Sequence, residues 1–274
     1  MVKLIKRLKN IIPLNGRIIF AYIKNINHNP YSLNSLLSLD SNISDFFIWD
    51  KDCLRIGFIA ENIRAILLGY PVEVIHHFKF FSKDGSLINH QSYKTSKFFH
   101  KILFNPIDCN DKYISFIHYV ESESDLKEIY NKKNGLKTFK WAEQNRGYTI
   151  YYPYDIEYGL VVHGNFGGIS KNLEKTARQT FLNHIYTPIY RFDKGSSYDL
   201  VFNNPTRKEI FINIILNGSS QKSQLKIPSM GTRSYRINKY KGSVSFISKL
   251  PICRALVFKN PTKNLLGNFD VFHT

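Results

Sequence analysis

The chain is poor in the residues that staple, cut or span. Its 3 cysteines, Cys53, Cys109 and Cys253, are far apart and odd in number, so no disulfide framework and no zinc-ligand spacing can be drawn from them. They read as small buried residues in a reducing compartment. No stretch reaches the roughly 18 apolar residues of a membrane-spanning helix, and no basic start leads into an unbroken apolar segment of the secretory kind. HExxH, paired CxxC, GxSxG, the Rossmann GxGxxG and a GK[ST] phosphate loop are all absent. No cofactor and no metal is predicted. His76 and His77 are adjacent, and in a strand their rings point to opposite faces, where they cannot chelate together without a bulge.

Acidic residues are also scarce, with 21 Asp and Glu against 38 Lys and Arg, a formal net charge of +17. The excess is uneven. Residues 1–39 carry 6 basic and no acidic side chains, residues 40–130 carry 10 against 13, and residues 131–274 carry 22 against 8. A field of this kind attracts polyanions such as nucleic acid, acidic lipid or acidic glycan. Lys outnumbers Arg 27 to 11 and shares A/T-rich codons with the abundant Asn and Ile, so base composition offers a second explanation of the same excess.

What is plentiful is aromatic: 21 Phe and 17 Tyr. With 43% hydrophobic and 22% charged residues the chain can bury a core, and the aromatic bias favours strands over helices. Its 274 residues allow one large or two ordinary domains.

A weak internal echo sharpens this. Val72-Glu-Val-Ile-His-His-Phe-Lys-Phe-Phe81 followed by Asp84-Gly85 matches Ile210-Phe-Ile-Asn-Ile-Ile-Leu216 followed by Asn217-Gly218 in pattern, and Tyr113–Val120 matches Val244–Pro251. Each reads as a strand, a hairpin turn and a return strand. The fold expected is all-β: two tandem β-sandwich units with a short N-terminal amphipathic helix. The units are placed at residues 40–130 and 148–274, with a polar linker at 131–147 and a basic arm at 1–39. In that arm Leu4, Ile5, Leu8, Ile11 and Ile12 share a helical face opposite Lys3, Lys6, Arg7 and Lys9, ending at Pro13. Ile63–Leu68 is read as extended, because the Gly69-Tyr70-Pro71 turn and its strand neighbours favour that reading.

The strongest local constellation is His163-Gly-Asn-Phe-Gly-Gly168, whose three glycines allow close backbone approach to an anion. A Gly-rich bend between strands explains the same letters. Downstream Lys175, Arg178, His184, Arg191 and Arg254 offer cationic donors. Arg178 and Arg254 sit in apolar or small-residue sequence, and Asp199 or Glu209 are candidate internal partners for them. The chain ends on Asp270-Val-Phe-His273-Thr, a strand-like run expected to pair rather than fray. Arg233-Ser-Tyr-Arg-Ile-Asn-Lys-Tyr-Lys241 interleaves basic and aromatic residues in the manner of a nucleic-acid surface, but both of its faces are mixed, which equally suits a protected sheet edge.

The functional expectation is a non-enzymatic binding protein for a polyanionic, glycan or protein partner, acting through the second unit. Its ligand contacts are placed at His163, Asn165, Arg178, His184 and Arg254. Nucleic acid is a weaker match. Two alternatives come from other classes: an enzyme on a sugar or phosphate ester with His163 as general base oriented by Asp270, and a peripheral membrane protein held by residues 1–12. A cytoplasmic location, membrane-peripheral in the last case, goes with these readings.

Overall fold

Some strands, such as Val74–Phe81 and Ile210–Leu216, alternate in burial, while others, such as Tyr113–Glu121 and Ser197–Asn203, are buried at nearly every position. The computed structural model describes residues 45–121, 147–153, 159–165, 181–206, 208–220, 222–250, 253–260 and 269–274. Strands take up 57% of them and helix 3%, so the protein is all-β. In chain order the elements are β1 (Phe46–Asp50), β2 (Arg55–Glu61), α1 (Ile63–Leu68), β3 (Val74–Phe81), β4 (Leu87–Thr95), β5 (Phe99–Leu103), β6 (Tyr113–Glu121), β7 (Gly147–Tyr152) and β8 (Leu160–His163). They continue with β9 (His184–Tyr186), β10 (Ser197–Asn203), β11 (Ile210–Leu216), β12 (Lys222–Ile227), β13 (Thr232–Asn238), β14 (Val244–Ser248), β15 (Leu256–Lys259) and β16 (Asp270–His273).

The strands form four small antiparallel sheets, with orders β1-β6-β3-β4, β5-β2-β7-β8, β9-β14-β11-β12 and β13-β10-β15-β16. Adding eight to each strand number of the first two sheets reproduces the other two. The segments that echo in sequence occupy corresponding strands, β3 with β11 and β6 with β14. In each, the hairpin's first strand also pairs with the later strand.

Two expectations change here. β7, expected to open the second unit together with β8, pairs instead with β2, and β8 pairs with β7 and completes that sheet. A polar stretch marks a connection, but it does not say which strands the chain rejoins. Two sandwiches with separate cores are also not what the packing shows. The sheet containing β10 is buried on both faces: Leu200, Phe202 and Val257 enter one apolar cluster with β11 and β14. Val201, Leu256 and Phe258 enter the other, with Phe47, Phe58, Phe78 and Phe116 from the first two sheets. One sheet therefore serves two cores, and its central strands β10 and β15 carry unbroken apolar runs, Leu200-Val-Phe202 and Leu256-Val-Phe258, rather than alternating ones. The helix expected over residues 2–12 lies outside the described residues, as does the expected linker up to Gly147, which opens β7.

Residues 63–68 are helical and not extended. Asn62 accepts the Ala65 N–H through its side chain at 3.1 Å, and Gly69 closes the turn in the left-handed region at φ 79°, its N–H donating to Ala65 at 2.8 Å. Those are the two capping residues a short helix needs, and they outweigh the strand-like composition between them.

A polar cluster joins the first strand set to the second. Asp199, 3% exposed, accepts from Arg236 Nε and Nη2 at 2.6 and 2.8 Å and from the Tyr113 hydroxyl at 2.7 Å. Lys112 Nζ stands 3.3 Å from the same carboxylate and 3.1 Å from Asp52. Arg233 reaches Asp84 at 2.7 Å across the same junction. Two arginines of the basic-aromatic stripe at 233–241 are thus spent on internal carboxylates.

Candidate functional site

β8 and β16 are the last strands of their sets, and each ends a sheet order and terminates in histidine. They lie side by side. His163 and His273 stack with ring centroids 4.3 Å apart and planes 25° from parallel. The tautomers follow from the acceptors. His273 Nε2 donates to the His163 carbonyl at 2.8 Å, which leaves its Nδ1 as a bare acceptor, buried and without a partner. His163 Nδ1 donates to the Gly164 carbonyl at 2.7 Å, which leaves Nε2 bare on an exposed ring.

The backbone behind the stack is fixed. Gly164 passes so close to Asp45 that a Cβ there would overlap the carboxylate. Asn165, 2% exposed, donates its N–H to the Phe46 carbonyl at 2.9 Å and its side-chain amide to Asn203 at 3.0 Å. Its own carbonyl takes two hydrogen bonds from Arg254, through Nε at 3.2 Å and Nη2 at 2.7 Å. Arg254 is held there because Cys253 and Ala255 on either side are buried in the second core.

The two carboxylates expected as partners of Arg254 are taken. Asp199 pairs with Arg236, and Glu209 with Lys226 at 2.9 Å. Among the described residues no carboxylate pairs with Arg254. Burial pushes the His273 imidazole down to about 3, with the neighbouring His163 and Arg254 adding to the effect. His273 is therefore neutral at physiological pH. The seam presents the Arg254 guanidinium, the neutral imidazole of His273 and the exposed ring of His163, a set suited to an anion or a hydroxyl-rich ligand.

Of the residues expected to touch ligand, His163, Asn165 and Arg254 come together. Asn165 is buried and positions Arg254 through its carbonyl, so it stands behind the surface. His184 lies in β9 opposite Ser248, in another sheet. Arg178 lies outside the described residues, as do Phe166, Gly167 and Gly168 of the glycine-rich segment. His273, not among the expected ligand contacts, joins them. The signal in the sequence is a likeness between Leu160-Val-Val-His163 and Asp270-Val-Phe-His273, the two final strands.

Asp270 does not orient His163. It pairs with Lys259 at the far end of β16, three residues from His273, and its Oδ1 accepts the Val271 N–H at 2.8 Å. Among the described residues no three His, Cys, Asp or Glu side chains converge as a metal site, and no helix is long and apolar enough to cross a membrane. Fold and seam together define an all-β protein of four small sheets, with a cationic histidine-arginine patch where its two strand sets meet. The chain matches no protein-family model and no curated protein.

Proposed function

We propose that the protein is a non-enzymatic binding protein for an anionic glycan, which it holds at the seam of His163, His273 and Arg254. The recurrent strand order supports reading the chain as two related eight-stranded units of sandwich type sharing a sheet, with the ligand at their junction. The observation that carries the reading is Arg254: a partly buried guanidinium bonded to a backbone carbonyl, with no carboxylate of the described residues on it. A sulfate or carboxylate of a glycan supplies the charge it lacks, and the bare Nε2 of His163 accepts from a sugar hydroxyl. The positive balance of residues 131–274 favours approach of such a ligand.

The test is calorimetric titration of a heparin-derived oligosaccharide into the wild-type protein, Arg254→Ala and His163→Ala, with circular dichroism to confirm folding. A hydrogen bond to a charged group contributes about 1.5–3 kcal/mol, so Arg254→Ala should weaken binding about tenfold to a hundredfold. Unchanged affinity in a folded Arg254→Ala protein, or no binding by the wild type, would sink the reading.

A further inference from the structure

The adjacent histidines His76 and His77 do face opposite ways, and each finds a second histidine on a neighbouring strand. His76 turns inward, fully buried, and meets His118 at 2.9 Å. His77 turns outward, where β4 sets Ser92 directly opposite it and His90 opposite Lys79, while β6 sets Tyr119 opposite it and Glu121 opposite Ile75. By the two-residue period of strands, His77, His90, Ser92, Tyr119 and Glu121 share one face.

Three atoms converge on that face. His77 Nδ1 lies 2.8 Å from Ser92 Oγ and 3.2 Å from His90 Nε2, and Ser92 Oγ lies 3.4 Å from His90 Nε2. On the far side of the ring, His77 Nε2 meets Glu121 Oε2 at 2.9 Å. A carboxylate only accepts, so Nε2 carries the proton and Nδ1 turns its lone pair toward His90 and Ser92. Tyr119 stacks on the His77 ring at 4.8 Å and 15°, which fixes its plane.

That is the arrangement of a metal-binding histidine and its outer carboxylate, in which the second ring nitrogen donates to an acid and the first is left basic. Two ligand atoms on a tetrahedral ion with bonds of about 2.0–2.1 Å stand about 3.3 Å apart. The three spacings here bracket that value. We propose that His77 Nδ1, His90 Nε2 and Ser92 Oγ form an open site for a divalent ion of the zinc class, with Glu121 as the orienting carboxylate and water completing the shell. With two imidazoles and a hydroxyl, the site lacks the third His, Cys or carboxylate of a closed structural centre, and it is one that exchanges its ion. Lys79, on the same face, sets its ammonium 5.6 Å from the Tyr119 ring and opposes a bound cation.

Titration of the full-length protein with Co²⁺, followed by its visible absorbance, and with Zn²⁺ in competition with a chromophoric chelator, tests this. The wild type should take up one ion. His90→Ala, an exposed change that leaves the core alone, should lose it, and Glu121→Gln should weaken it about 10- to 100-fold. Lys79→Ala should bind more tightly. No saturable uptake by the wild type, or uptake unchanged in both His90→Ala and His77→Ala, would overturn the site. So would a Glu121→Gln protein with wild-type affinity, since the charge of the carboxylate is what raises the basicity of His77 Nδ1.

Discussion

At the scale of single residues, close approach decides more than composition does. Phe58 is fully buried, and its ring meets those of Phe47, Phe78 and Phe116 at 5.0, 5.0 and 6.1 Å. Gly147, the first residue of β7, faces the same ring, and a Cβ there would overlap it. The ring cannot yield, because the other aromatics already surround it. Gly147→Ala is expected to cost about 1–3 kcal/mol as an overpacked site, and Phe58→Ala about 3–5 kcal/mol as a cavity. Urea midpoints measure both. A neutral Gly147→Ala would show that β7 shifts along β2 at no cost. Neither residue announces itself in the sequence: one is a glycine between charged and polar neighbours, the other one phenylalanine among 21.

At the scale of elements, what was legible was what is local. β11 declares itself through buried Ile210, Ile212, Ile214 and Leu216 on alternate positions and through the Asn217-Gly218 turn, where Gly218 takes φ 83°. The closing run to His273 pairs with β15, as a terminal strand should. α1 was misread because Ile63, Ala65 and Ile66 fit either period, and its caps lie outside the run that composition weighs. Asn62→Ala should therefore destabilise by about 1 kcal/mol through loss of the cap, with thermal melting as the readout. If Asn62→Ala melts with the wild type, the helix is held by packing and not by its cap. The candidate site divides the same way. His163, Asn165 and Arg254 stand out by residue type, but His273 joins them only because two edge strands 110 residues apart run side by side, and that is long-range pairing.

At the scale of the whole molecule, the junction between the two strand sets holds buried ionisable groups whose titrations pull in opposite directions. Asp50, 1% exposed, is pushed up to about 7 by burial, with Lys112 and the Asp52 N–H pulling back. Its folded value exceeds its ordinary 3.8, so the folded state holds the proton longer, and its contribution to stability is lost as pH rises through about 7. His273 behaves in the other sense: held down to about 3 against an ordinary 6.5, it costs stability as pH falls below about 6.5. Asp199 is held below its ordinary value against the opposing effect of burial, by hydrogen bonds from Arg236 and Tyr113, and its contribution disappears only in stronger acid. The Asp50 and His273 windows overlap but run in opposite directions, so variants can separate them. Relative to the wild type, Asp50→Asn should gain stability progressively as pH rises from about 4 to above 7. His273→Gln should gain as pH falls from about 6.5. Urea unfolding across pH 4.5 to 8.5 measures both differences. An Asp50→Asn difference that stays flat across that range would mean the carboxylate is solvated in the folded protein, and that the junction is looser than its hydrogen bonds imply.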